Sequence, residues 1–373
     1  MVFLTELFNH FVKMKHNHLR EILQKSFLEK EDILMLLNTY GEEKEILFEH
    51  AALAKSQNVG NKVYLRGLIE YSNICKKDCY YCGIRSSNHY FCRYEVTPQE
   101  IVEACNFAIQ NRLGSMVVQC GELQSEAFTD KILEIIKIIK SRSNGKMRIT
   151  LSCGEQKPEV YQKWYDAGAE RYLLRIESSN EELYKKIHPD NNVHNYQNRV
   201  DALSNLKKIG FQTGTGVMIG LPFQTNEDLA DDILFMRDID IDMCGMGPYI
   251  EHENTPLFSY KQTLLPLQAR FQLALKMIAV LRIVMKDINI ASTTALQAID
   301  PHGKRSGLEV GANVIMPNIT PVKYKSSYHL YKDKPGSSLC IEDELNYSIK
   351  TIEKANCTVA YEEPGDSLRF VNR

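Results

Sequence analysis

An alternating α/β fold built on a parallel sheet is what this 373-residue sequence predicts. Three observations predict it. Short apolar, β-rich runs recur from residue 63 onward, and helical stretches separate most of them. In order they are "VYLRGLIEYS", "SMVVQCGE", "MRITLSCGE", "RYLLRIES", "QTGTGVMIGL", "MCGMGPYI", "NIASTTAL" and "ANVIMPNI". Strands that alternate with helices form parallel sheets. Eight repeats point to a closed (β/α)8 barrel, and the span 63–320 fits the ~250 residues such a barrel uses. A doubly wound open sheet is the alternative, because periodicity does not report closure.

The elements follow in order. Residues 1–62 read as amphipathic helices, with "KEDILMLLNTY" and "EKEILFEHAALAKS", packed on the outside of the barrel. "TPQEIVEACNFAIQNRLG" reads as a helix with Thr97 as cap, Pro98 at its first position and a glycine stop. "NEDLADDILFMRDI" reads as a helix capped by Asn226. Residues 321–373 form a mixed extension with a short β-rich tail. No repeat or Gly/Ser/Pro linker interrupts the chain, so one compact unit is expected, divided as 1–62, 63–320 and 321–373.

Composition narrows the function. Lys plus Arg is 45 and Asp plus Glu is 47, a balance that argues against a nucleic-acid footprint. No apolar run reaches membrane-spanning length; the greasiest helix, "FQLALKMIAVLRIVMK", carries Lys276 and Arg282. The N-terminus lacks a charged region followed by an apolar core, so no secretory signal is expected. Ten cysteines in such a chain are expected to be reduced thiols in the cytoplasm.

Three of those cysteines carry the chemistry. "EYSNICKKDCYYCGIRSSN", residues 70–88, holds Cys75, Cys79 and Cys82 at Cys-x3-Cys-x2-Cys spacing, with no fourth cysteine or histidine at ligand spacing. Structural zinc wants four closed ligands, usually as two Cys-x2-Cys knuckles, and only one knuckle is present. Ferredoxin-type clusters likewise need four cysteines. Three thiolates on a short loop fit a cubane iron–sulfur cluster with one iron left open. The loop follows the first strand, and barrel chemistry sits at the C-terminal ends of strands. Polar residues recur at the other strand ends, which favours a pocket at that rim.

With Tyr81 just before the last cysteine, the motif resembles the signature of the radical S-adenosylmethionine (SAM) superfamily. "AGAERYLLRIES", "MIGLPFQT", "GMGPYIEHENTPL", "STTALQAI" and "GANVIMPN" narrow the resemblance to the HydE family of [FeFe]-hydrogenase maturases. These are relatives of biotin synthase and methylornithine synthase. The resemblance spans roughly residues 60–335.

What it implies is specific. Cys75, Cys79 and Cys82 would hold three irons of one [4Fe-4S] cluster, and SAM would chelate the fourth. Tyr81, Gly121, Glu122, Arg175, Glu177, Arg199 and Met243 would bind SAM. Gly121 and Glu122 match a motif that meets its amino group, and Arg199 one near its carboxylate, where a guanidinium suits bidentate geometry. Arg175 and Glu177 lie on alternate residues and share a face. The substrate side would hold Arg66, Gln119, Cys120, Thr150 and Arg171. Thr293, Thr294, Met316, Tyr328 and Tyr331 would complete it. The implied substrate is a small iron complex bearing carbonyl, cyanide and cysteine, made by a partner maturase. A 5′-deoxyadenosyl radical would act on it, after an electron from a donor such as ferredoxin or flavodoxin.

Two departures from the family pattern stand out. Cys120 replaces a usual serine, and its thiol could bind iron or simply fill volume. Cys340 matches the first ligand of an accessory cluster, but Ser348 and Thr351 stand at the other two positions, so one cluster is expected. Two rival functions remain at this stage. One is a radical-SAM mutase or sulfur-insertion enzyme acting on an organic substrate, for which Cys120, Cys153 and Cys244 could supply a second metal site. The other is a non-catalytic carrier of an iron species. SAM cleavage separates the second rival from the enzymes.

Overall fold

The computed structural model describes residues 16–373. The first fifteen residues of the expected N-terminal segment lie outside it. Helices α1 (Lys30–Leu37) and α2 (Glu42–Asn58) precede the first strand, as their apolar periodicity predicts. Ile33, Leu36, Leu37, Leu47 and Ala51 bury that periodic face.

Strands β1 (Lys62–Ser72), β2 (Ser115–Cys120), β3 (Arg148–Ser152), β4 (Arg171–Leu173) and β5 (Gln212–Thr215) pair in chain order, all parallel. The fifth and sixth sequence runs each break in two. β5 is followed by β6 (Met218–Ile219), and β7 (Met243–Cys244) by β8 (Gly247–Pro248). β5 and β7 stay in the main sheet, while β6 and β8 form a separate parallel pair above it. Gly216 and Gly245 mark the break. A Cβ on Gly216 would lie 2.1 Å from the Gly245 carbonyl oxygen, so only glycine permits that approach.

β9 (Asn289–Ile290) and β10 (Val314–Ile315) complete the ring. β10 pairs with β1, and β7 with β9. The last seam is shorter: Ala291 bridges Val314, and Asn313 N–H donates to the Ile290 carbonyl at 2.9 Å. The eight strands therefore close, and the open-sheet alternative falls.

Side chains alternate across the wall as strand pleating requires. On β1, Leu68 and Glu70 face the lumen, while Ile69 and Tyr71 join the core beneath the helices. On β2, Val117 and Gln119 face inward, and Met116, Val118 and Cys120 outward. Helix α3 (Pro98–Gln110) starts as expected, with Thr97 accepting from the Glu100 N–H and Glu100 reaching back to complete a capping box. Helix α8 (Asn226–Asp238) starts one residue earlier than expected. Its cap is Thr225, in a capping box with Asp228, and Asn226 is the first helical residue. Threonine wins because a carboxylate stands three residues on, where it can return the hydrogen bond. Helix α9 (Leu267–Val284) is a core helix; the fully buried Arg282 is satisfied by the carbonyls of Gly311, Lys286 and Ile288. No single helix among the described residues is long and apolar enough to cross a membrane.

The C-terminal extension does more than cover the outside. Strand β11 (Thr358–Ala360) pairs with the start of β1, and the residues after it seal the barrel floor. Asp366 accepts from Arg171 and Gln212, each at 2.6 Å, and pairs with Arg148 at 3.3 Å. The Gly365 carbonyl accepts from Arg66 at 3.2 Å and Asn289 at 2.9 Å. Arg171 is fully buried, so removing its carboxylate strands a charge. Asp366→Ala is expected to cost about 3–5 kcal/mol, the scale of a broken buried ion pair. Thermal unfolding of the apo-protein checks this; an unchanged midpoint would mean the tail does not hold the floor.

Candidate active site

The cysteine loop leaves β1 at the C-terminal rim and folds around one guanidinium. Arg93 donates to the carbonyls of Asn73, Ile84, Arg85 and Asn88 at 2.5–2.8 Å. The loop therefore has its own internal frame. The three residues between Cys75 and Cys79 are pinned from outside. Asp78 N–H donates to His194 Nε2 at 2.9 Å, and Lys77 reaches Glu155 at 3.1 Å.

Cys75, Cys79 and Cys82 line one cavity of about 300 Å³. Burial pushes all three thiols up, Cys82 to about 12; neighbouring cysteines add to the effect at Cys79 and Cys82, and Glu122 adds to it at Cys75. Thiols so placed gain most from a bound cationic group that draws off the proton. Among the described residues, no three His, Cys, Asp or Glu side chains converge as ligands of a single ion would. Three thiols facing one cavity of this size are the donor set of a polynuclear iron–sulfur group with a position left open. Gly121 completes the cradle: a Cβ there would lie 2.3 Å from the Ile74 carbonyl oxygen and 2.7 Å from Cys75 Cβ.

Behind the loop lies a buried ion network. Arg199, on helix α7 (Tyr196–Ile209), meets Glu122 at 2.7 Å and Glu155 at 3.0 Å. Lys77 meets Glu155 at 3.1 Å and Glu122 at 3.8 Å. Burial alone would raise the Glu122 carboxyl, but Arg199 and Lys77 outweigh it and hold it at about 2. Glu122 and Arg199 are thus partners of one another. The sequence alone does not mark Lys77 or Glu155 as members.

Arg175 and Glu177 also line the cavity and pair at 2.9 Å. Both lie beyond β4, and Glu177 adopts a left-handed φ of 66°, a strained conformation for glutamate. The surroundings enforce it. Glu177 N–H donates to the Gly216 carbonyl and its own carbonyl accepts from Met218, both at 3.1 Å. Two residues on, Asp232 accepts from Ser179 N–H and Oγ at 2.6 and 2.7 Å. Tyr81 faces the cavity too, with its hydroxyl 3.2 Å from His188 Nε2. Burial lowers His188 to about 3, so its ring is neutral at pH 7. With Nδ1 2.9 Å from the Tyr184 carbonyl, Nδ1 carries the proton and Nε2 accepts from Tyr81.

Deeper in the same cavity stand Gln119, Thr293, Thr294, Met316, Tyr328 and Tyr331. Gln119 Nε2 donates to the Tyr328 hydroxyl at 3.3 Å. The rest of the expected substrate side is elsewhere. Arg66, Thr150 and Met243 line a smaller cavity of about 20 Å³ beneath, which shares Leu173, Gly245 and Met316 with the upper one. Met243 is thus away from the cysteine loop, with its sulfur 3.0 Å from Arg66 Nη1. Arg171 lines neither cavity and holds the tail. Position along a strand explains the shift: all four residues lie toward the strand starts, away from the rim. Arg66 Nε, Thr150 Oγ1, and Arg171 Nε and Nη1 are buried with no protein partner.

Cys120 borders the upper cavity, but it sits on the outward face of β2 with its thiol against Cys153. Cys244 likewise turns outward, toward the Met236 sulfur at 3.7 Å. These three thiols do not converge on a second metal site.

If Glu177 makes the SAM contact that the resemblance implies, Glu177→Gln should weaken SAM binding by ~1.5–3 kcal/mol, the loss of a charge-assisted contact, and leave the cluster spectrum unchanged. Calorimetric titration of SAM decides it, and unchanged affinity would reduce Glu177 to a structural partner of Arg175. Arg199→Ala is a poorer probe, because it also strands Glu122 and Glu155.

Residues 69–236 match the Radical SAM superfamily. The chain is 43% identical to the [FeFe] hydrogenase maturase subunit HydE of Thermotoga maritima, over 83% of this chain and 84% of that protein. It is 25% identical to the 3-methylornithine synthase of Methanosarcina acetivorans, over 79% of this chain and 81% of that one. Among solved structures, methylornithine synthase (PylB) superposes with a TM-score of 0.76 at 22% identity, covering 92% of this chain and 97% of its own. The maturase HydG from Carboxydothermus hydrogenoformans gives the same score at 18% identity, covering 96% and 81%. Those two likenesses speak for the fold. The cysteine motif on a closed parallel barrel, together with the identity to the Thermotoga protein, settles the family: the chain is a radical SAM enzyme and belongs to the HydE family of [FeFe] hydrogenase maturases.

Proposed function

We propose that this enzyme binds one [4Fe-4S] cluster and SAM at the rim, and acts deeper in the barrel on a small iron complex bearing carbonyl, cyanide and cysteine. The observation that carries this reading is the shared cavity. One continuous space joins Cys75, Cys79 and Cys82 to Thr293, Thr294, Met316 and the two tyrosines. A group bound at one end of that space would lie open to a molecule bound at the other.

Each residue has a part in that reading. The three cysteines hold three irons. A cluster held by these three thiolates would, when bound, supply the electron for reductive cleavage of SAM. Gly121 and Glu122 face the amino group, and Arg175 and Glu177 face the carboxylate and ribose. Arg199, on the same cavity wall, holds Glu122 ionised and would stand near the SAM carboxylate. Gln119, the two threonines and the tyrosine hydroxyls offer hydrogen bonds to substrate, and Met316 forms an apolar wall. At the lower end, the unpartnered donors of Arg66 and Thr150 would suit an acceptor group on the substrate. The packed barrel excludes water and other hydrogen donors. Electrons come from a low-potential donor such as ferredoxin or flavodoxin, and the product passes to the other maturases in transient contact.

Reconstituting an apo-[FeFe]-hydrogenase, with this protein as the only variable component, tests the reading. Hydrogenase activity should appear with the wild type and vanish with Cys82→Ala. SAM cleavage without any maturation would place the enzyme on another substrate. Iron analysis after reconstitution and gel filtration should give about four irons per chain, the content of one cubane cluster. Retention of about eight would reveal a second ligand set.

A further inference from the structure

A buried ion pair spans the mouth of the barrel and belongs to none of the groups above. Glu70 stands on the lumen face of β1, its side chain 1% exposed. It is fixed on every side. Its N–H donates to Thr320 Oγ1 at 2.8 Å, its carbonyl accepts from the Tyr94 hydroxyl at 2.8 Å, and Oε2 accepts from Asn318 at 3.1 Å. Oε1 takes the ammonium of Lys334, itself only 9% exposed.

Lys334 comes from a segment that crosses the rim. That segment, Ser327 to Pro335, presents Tyr328, Leu330, Tyr331, Lys334 and Pro335 to the cavity. It is stitched down by backbone acceptors and donors. Asn73 donates to the Ser327 carbonyl at 2.7 Å, Gly83 N–H to the Leu330 carbonyl at 2.9 Å, and Lys332 N–H to the Glu251 carbonyl at 3.3 Å. The Lys334–Glu70 pair is the one ion pair this segment makes among the described residues. The same ammonium donates to the Tyr328 carbonyl at 3.0 Å and stands 5.0 Å from the centre of the Tyr328 ring.

We propose that Glu70 and Lys334 are positioning residues: their ion pair latches the Ser327–Pro335 segment across the cavity mouth and so sets Tyr328 and Tyr331 against the substrate. The geometry gives two reasons. Lys334 touches the latch carboxylate and the Tyr328 backbone at once, so the anchor and the tyrosine move together. Neutralising Glu70 also removes a bare carboxylate from the cavity wall, which would otherwise repel an anionic substrate. The assignment of Tyr328 and Tyr331 to substrate rests on the function proposed above, whereas the latch itself does not.

Hydrogen–deuterium exchange on the anaerobically reconstituted full chain tests the latch. Lys334→Gln and Glu70→Gln should each speed amide exchange in peptides covering 327–335, by at least about tenfold, while peptides of β2 and β3 keep the wild-type rate. Lys334→Arg should keep exchange slow, because it keeps the charge. In the maturation assay, Lys334→Gln should lose activity with SAM affinity retained, and Lys334→Arg should recover it. Wild-type exchange in both glutamine variants would overturn the latch. If exchange rises but maturation by Lys334→Gln is undiminished, the positioning role is overturned. If the wild-type enzyme cleaves SAM but supports no maturation, the proposed substrate fails, and the exchange result still decides the latch.

Discussion

The organisation of the rim depends on four buried charges. Lys77, Glu122, Glu155 and Arg199 come from the cysteine loop, the ends of β2 and β3, and helix α7. Each would cost several kcal/mol to bury alone. Together they offset that cost, because every carboxylate meets both cations. The result is a rigid joint between the loop that carries the thiols and the strands that carry the rest of the site. It ties Cys75–Cys79 spacing to barrel geometry, since Lys77 sits midway between those two cysteines. It also holds Glu122 as an anion, because Arg199 and Lys77 outweigh its burial.

The two ends of the barrel are treated differently. At the rim, glycines let backbone approach backbone, and a crossing segment covers the opening. At the floor, the tail inserts Asp366 beneath Arg171, and the Gly365 carbonyl meets Arg66. A parallel barrel packs its interior with side chains unless some are displaced. Here Arg66, Thr150 and Asn289 stand among apolar side chains around a small space near the floor. That space holds donors lacking acceptors, and such groups are expensive unless something pairs with them.

Much of this was legible in the sequence, and what was not has physical reasons. The eight strands, their alternation with helices and the three-cysteine loop follow from period and spacing. Closure does not, because the β9–β10 seam rests on a bridge and a few hydrogen bonds that leave no periodic trace. The division of the substrate side into two levels was also hidden. Arg66 and Arg171 share types with rim residues, and only their height along the strand separates them. The tail's role at the floor depends on contacts nearly two hundred residues apart, between Arg171 and Asp366. Lys77 and Glu155 read as ordinary charges until the fold brings them to Arg199. Cys120 shows the opposite case: its type is notable, but the pleat of β2 turns its thiol away from the lumen.

The central claim is that three thiolates hold a cluster whose open iron meets SAM in this cavity. Electron paramagnetic resonance of the reduced, anaerobically reconstituted protein addresses it directly. Adding SAM should change the g-values of the reduced-cluster signal, because the amino and carboxylate groups would join the open iron. A signal that is identical with and without saturating SAM would contradict the account.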